Sequence, residues 1–275
     1  MKKVLTGLCN NITDHQDKIR IWKTSFQQYS DGDIVLLVAN ASEQDVKTCE
    51  LLDIKYHIVT IEDTQQINHK RLEHLRDFFK ISDGDVFLIT DVFDVVFQND
   101  PFAKLNFNEY ELFFTSEGIL LSEEPWNYDV IKKVFGMDIA NECLPHEIVC
   151  SGVISGKKEA LISLYDRMFN LCESGTNNHN IKDQAALIIM LVKNELKNYK
   201  VLTLNDGWAM HCATSGPTQF FTLWNMKQNL EKRYNIPEMK ETNVYTGGQL
   251  FDIVHQFNRV PEWHTIIKNK YLNVL

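Results

Sequence analysis

Apolar positions along the first half of this chain fall alternately into continuous runs and helical stripes. Lys3 to Leu8 is an apolar run that predicts a first strand, closed by a Thr6-Gly7 turn. Ile19, Trp22, Phe26 and Tyr29 then fall on one face of a helix. The turn Asp31-Gly32-Asp33 leads into a second apolar strand, Ile34 to Ala39, followed by a helix over Glu43 to Leu52 and a strand over Tyr56 to Thr60. Asn68 to Phe79 is helical, with Leu72, Leu75, Phe78 and Phe79 as its buried stripe. Strands alternating with helices of this length predict βαβ units, hence a mostly parallel sheet flanked by helices.

The next run, Val86-Phe87-Leu88-Ile89-Thr90, breaks its own pattern. Asp91 and Asp94 follow it, and the apolar run resumes at Val95-Val96-Phe97. A carboxylate is costly to bury without a partner. The pair should therefore meet solvent, a cation or strong donors at the strand's C-terminal edge, where open α/β sheets hold their ligands. Two hard oxygen ligands there suit Mg2+ or Mn2+ bridging nucleotide phosphates. The plainer alternative is a pair of aspartates capping a turn or a helix start.

The second half is less regular. Strands are expected over Glu111 to Ser116, over Glu147 to Ile154 with a break at Ser151-Gly152, over Lys200 to Leu204 and over Phe251 to His255. Helices are expected over Asp129 to Phe135, Lys157 to Cys172 and Ile181 to Leu196, with a polar loop from Glu173 to Asn180. No internal repeat, low-complexity tract or linker separates the halves, so residues 1–275 read as one domain.

Composition narrows the function. Hydrophobic content of 44% and charged content of 24% are ordinary for a globular protein. A formal net charge of -9 with no basic run argues against a nucleic-acid partner. Thr6, Gly7 and Asn10 interrupt the N-terminal apolar run too early for a secretory signal, and no segment approaches the roughly 18 apolar residues of a membrane span. The six cysteines lack CxxC spacing, which suits free thiols in a reducing compartment; a cytoplasmic location is expected. No GxGxxG or GxxxxGK[ST] loop occurs, so diphosphate binding must rest on metal and basic side chains. GxSxG and HExxH are also absent.

Other residues can join the aspartates. His255 ends the last strand, and an imidazole with two carboxylates makes a plausible Mn2+ site. His211 competes for that role. Lys70 and Arg71 lie on the helix before the Asp91 strand, within reach of a phosphate or on a solvated helix face. Asp183 and Gln184 open a helix, near a sugar or acceptor or simply at a helix dipole. Trp126, in the loop Glu123 to Tyr128, offers a flat ring on which a sugar can stack, or packs at the core's edge.

In this order the motifs resemble metal-dependent glycosyltransferases of the GT-A fold. The nearest likeness is to the glycosyltransferase domain of procollagen lysyl hydroxylases and related collagen-type sugar transferases. It is carried by Lys70, by Leu88-Ile89-Thr90-Asp91-Val92-Phe93-Asp94-Val95-Val96, by Cys150-Ser151-Gly152-Val153 and by Lys182-Asp183-Gln184. His255-Gln256-Phe257-Asn258-Arg259-Val260-Pro261-Glu262 resembles the ending of other such transferases. The stretch from His211 to Thr218 also echoes the family's His-Gly-Asn-Gly-Pro-Thr, so the third metal ligand is His255 or His211.

The resemblance implies a GT-A-like (Rossmann-like) mixed α/β fold and a UDP-sugar donor. It implies Mn2+ (or Mg2+) on Asp91, Asp94 and His255, Phe93 against the uridine, Lys70 on the diphosphate and Thr6 seating the nucleotide. Trp126 and Asp183 would line donor sugar and acceptor, a hydroxyl on glycan, protein or lipid, in a reaction that retains anomeric configuration. Phe93 stands for a tyrosine and Cys150 for an asparagine, and one acidic residue before Asp183 is missing. A viral or bacterial source suits a chain without a secretory signal. The rival functions are a nucleotidyltransferase or pyrophosphatase, and a catalytically inactive nucleotide-sugar-binding module.

Overall fold

Apolar runs without a polar face need cover on both sides, and β1 (Lys3–Cys9), β2 (Asp33–Ala39) and β4 (Val86–Thr90) obtain it at the centre of a sheet. The computed structural model describes residues 1–176, 179–216 and 224–272; Pro217 and Thr218 of the His211 stretch lie outside them. Around those strands the first half adds α1 (Gln16–Tyr29), α2 (Glu43–Leu51), β3 (Lys55–Val59), α3 (Ile67–Ile81) and β5 (Val95–Phe97). The chain continues through β6 (Leu112–Leu120), α4 (Pro125–Phe135), α5 (Met137–Cys143), β7 (Glu147–Val149), β8 (Val153–Lys157), α6 (Lys158–Ser174), α7 (Asp183–Val192) and β9 (Tyr199–Leu202). It closes with β10 (Ala209–His211), α8 (Cys212–Ser215), α9 (Trp224–Glu231), β11 (Glu238–Lys240), β12 (Asn243–Thr246), β13 (Gln249–Leu250), β14 (Ile253–His255) and α10 (Pro261–Leu272).

The main sheet runs β3-β2-β1-β4-β8-β6-β7, with β9 beside β6. β3, β2, β1 and β4 are mutually parallel, and β8 is antiparallel to both β4 and β6. The protein is thus mixed α/β with a mostly parallel central sheet flanked by helices. Strand alternation sends Leu5 and Leu88 to one face, under Trp22 and Phe26 of α1. Val4, Phe87 and Ile89 go to the other, under Leu72, Leu75 and Phe79 of α3 and Leu161 and Tyr165 of α6. Each such side chain contributes about 1.5–3 kcal/mol through removal from water.

Two expectations change. The first strand does not turn at Thr6-Gly7 but continues to Cys9, with Thr6 paired to Val35 and Ile89. Gly7 serves a close approach instead: a Cβ there would lie 2.5 Å from the Thr90 carbonyl oxygen. The Ser151-Gly152 break divides two strands, β7 and β8, whose ladders run to β6 and to β4 with β6.

A smaller sheet, β10-β14-β5, sits beyond the end of β4. β14 is parallel to β10 and antiparallel to β5, with His211 opposite His255 and His255 opposite Val95. That register sets the two histidines side by side, with His255 facing Asp94.

Candidate metal centre

β4 is pinned at its end. Trp22 donates its indole N–H to Thr90 Oγ1 at 2.8 Å, and the Asp91 N–H donates to the Gly152 carbonyl at 2.9 Å. The chain between β4 and β5 then presents Asp91 and Asp94 to His255. Nε2 of His255 lies 3.2 Å from Asp91 Oδ2 and 3.6 Å from Asp94 Oδ1. One ligand atom from each of these three residues falls within 4.8 Å of the others. Asp94 Oδ1 is buried and makes no hydrogen bond among the described residues. A buried carboxylate oxygen left unpaired beside another carboxylate and an imidazole is a donor set that fits a divalent cation.

The backbone makes room for this. A Cβ on Gly152 would come 2.5 Å from His255 Cε1 and 2.8 Å from Asp91 Oδ2. From α3, Arg71 forks between two carboxylates, at 2.6 Å from Asp91 Oδ1 and 2.5 Å from Asp183 Oδ2. Asp183, almost wholly buried at the start of α7, also accepts from Ser151 Oγ at 3.1 Å. A guanidinium bridging two carboxylates, one terminal nitrogen on each, fixes both partners as well as neutralising them.

The charges answer to this packing. Burial pushes the Asp91 carboxyl up, but Arg71 and His255 outweigh it and hold the group well below the usual range. Burial pushes Asp94 up, with His255 opposing and Asp91 adding to the rise. Burial works against the His255 imidazolium, yet Cys150, Asp94 and Asp91 hold its pKa well above ordinary. His211, buried beside His255, is held well below it.

The cluster opens into a cavity of about 690 Å3, whose walls include Arg71, Asp91, Trp126, Ser151, Asp183 and His255. Trp126 lies in the first turn of α4 rather than in a loop and is 46% exposed there. Gln184 donates to Asn127 Oδ1 at 2.8 Å across the cavity wall. Not every expected residue arrives. Thr6 is fully buried within β1, and Lys70 is held by Glu173 at 3.0 Å and over the Phe169 ring; neither lines the cavity. Phe93 sits against the edge of His15, 4.5 Å between ring centres, and also lies outside the cavity wall.

Glu117, on β6, is a further residue of the site that belongs to none of the sequence motifs. It is buried in the cavity wall and accepts weakly from Gln184 at 3.4 Å. Burial pushes its carboxyl up to about 7. Its signal was the one that marked Asp91, a lone acid inside an apolar strand, here Leu112 to Leu120.

No known protein family matches the chain, and no curated protein matches it. Among the described residues no helix is long and apolar enough to cross a membrane.

Proposed function

We propose that the protein is a metal-dependent glycosyltransferase that moves a sugar from a UDP-sugar to a hydroxyl on a glycan, protein or lipid, on a GT-A-like fold. The observation that carries this reading is the convergence of Asp91, Asp94 and His255, two of which, Asp91 and His255, line a cavity together with Arg71, Asp183 and Trp126. A carboxylate pair with one imidazole suits Mn2+, with Mg2+ the weaker fit. A divalent cation bound there supplies charge neutralisation for a diphosphate leaving group.

The chain's own residues do the rest. Arg71 keeps Asp91 ionised and turned toward the cluster, while its second contact fixes Asp183. Trp126 offers its half-exposed ring as a stacking platform for a sugar. Asp183, held by Arg71 and Ser151, orients hydroxyls of donor or acceptor; in a retaining transfer it need not abstract a proton. Burial raises the Glu117 carboxyl to about 7, and in its protonated form it can donate a hydrogen bond into the cavity. All six cysteines are free and buried, which supports a reducing compartment such as the cytosol.

The test is UDP release from a panel of UDP-sugars with Mn2+, comparing wild type with Asp91→Ala and Asp94→Ala. The expected loss is about 100-fold or more in each variant, the scale of removing an electrostatic anchor of the leaving group. Undiminished turnover in both overturns the assignment. Donor binding without turnover in the wild type leaves a nucleotide-sugar-binding module.

A further inference from the structure

Behind the ligand His255 stands a second histidine that the proposed chemistry does not use. His211 Nδ1 lies 2.8 Å from His255 Nδ1, with the two rings at 89° and both side chains buried. The pairing follows from the sheet register, in which β10 places His211 directly opposite His255 on β14. One nitrogen must donate and the other accept.

His255 decides which. Its Nε2 faces Asp91 and Asp94, so binding a cation there requires the lone pair on Nε2 and the hydrogen on Nδ1. Cys150 Sγ is the other neighbour of that Nδ1, at 3.6 Å, and it already accepts from the Gly152 N–H at 3.2 Å. Sulfur is the weaker acceptor and the more distant one. His211 Nε2 is buried with no hydrogen-bond partner among the described residues, so the contact of Nδ1 with His255 is the only hydrogen bond of this ring among them. An imidazole with one orphaned nitrogen is an expensive way to fill space that a leucine would fill without cost to hydrogen bonding.

We infer that His211 is a positioning residue: its Nδ1 accepts the hydrogen on His255 Nδ1 and so keeps the Nε2 lone pair of His255 aimed at Asp91 and Asp94. Metal-binding histidines gain affinity from such a partner on the other ring nitrogen. The inference rests on the reading of Asp91, Asp94 and His255 as a cation site.

The experiment is direct titration of the full chain with Mn2+ alone, in wild type, His211→Leu and His211→Asn, with thermal melts alongside. Leucine keeps the volume and removes the acceptor, whereas the asparagine Oδ1 stands where Nδ1 stood. Affinity should fall about 10- to 100-fold in His211→Leu and largely return in His211→Asn. Unchanged affinity in His211→Leu overturns the inference and leaves the cation site standing. Equal loss in both variants also overturns it, because packing alone then explains the effect. Absence of Mn2+ binding in the wild type removes the site and this inference together. Should His211→Leu fail to fold, long-range proton–nitrogen NMR of the Mg2+-loaded wild type decides. The Nε2–H tautomer of His211, which leaves its Nδ1 lone pair to accept, supports the inference; the Nδ1–H tautomer of His211 overturns it.

Discussion

At the residue scale, Gly152 shows how little space the candidate centre has. Any side chain there meets both His255 and Asp91 within 2.8 Å. An added methyl must push them out of place, although His255 is held in β14 and Asp91 is bonded to Arg71 and to the Gly152 carbonyl. Gly152→Ala is therefore expected to leave the fold intact while lowering Mn2+ affinity by about tenfold or more, the effect of misplacing a ligand. A titration showing wild-type affinity would mean that the carboxylates and imidazole do not act as one cluster. Arg71 belongs at this scale too, since its two charge-assisted contacts join α3 to β4 and α7.

At the scale of elements, α2 shows how local sequence is tied to the rest of the fold. Ser42 accepts from the Asp45 N–H at 3.1 Å, and Asp45 returns the bond to the Ser42 N–H at 3.0 Å, a complete capping box. Asp45 also accepts from the Thr13 N–H at 2.9 Å, which anchors the loop after β1. Burial pushes its carboxyl up, but these bonds win and bring it down to about 2. A folded pKa below the ordinary 3.8 means that Asp45 stabilises the protein above that value and loses the contribution as pH falls toward 2. Asp45→Ala should cost about 1–2 kcal/mol in urea unfolding at neutral pH. The cost should shrink in acid, and an equal cost at both pH values would contradict the account.

Much of this level was readable in advance, because apolar runs and helical stripes are one-dimensional signals. β2, α2 and β4 fall where the sequence placed them, within a residue or two. Strand direction is not written in an apolar run, so the antiparallel insertion of β8 between β4 and β6 came only from the structure. Lys70 and Arg71 show a finer loss. Arg71 stands four residues before Leu75 and seven before Phe78, on the buried stripe of α3, whereas Lys70 aligns with Glu73 and Asp77 on the polar side. The helical period held that answer. Which histidine joins the aspartates was not so held, because it depends on the register of β10, β14 and β5, three strands far apart in sequence.

At the scale of the whole molecule, the candidate site lies where the main sheet meets the smaller one, and charge concentrated there should show in global stability. Glu117 is the clearest case. Its folded pKa of about 7 exceeds the ordinary 4.5, so the folded state binds the proton more tightly than the unfolded chain. The contribution of Glu117 to stability is greatest below about 4.5 and falls as pH rises to about 7, by about 3 kcal/mol at most. Glu117→Gln should flatten that part of the urea-unfolding profile. A variant profile parallel to wild type between these pH values would show that Glu117 ionises freely in the folded protein.

The central claim is that Asp91, Asp94 and His255 hold a divalent cation against which a nucleoside diphosphate docks. Calorimetric titration of the full chain with UDP, with and without Mn2+, tests it most directly when repeated on Asp91→Asn with Asp94→Asn. The account predicts UDP binding by the wild type that depends on Mn2+ and is lost in the double variant. UDP binding of equal strength without Mn2+, or undiminished in the double variant, would contradict it.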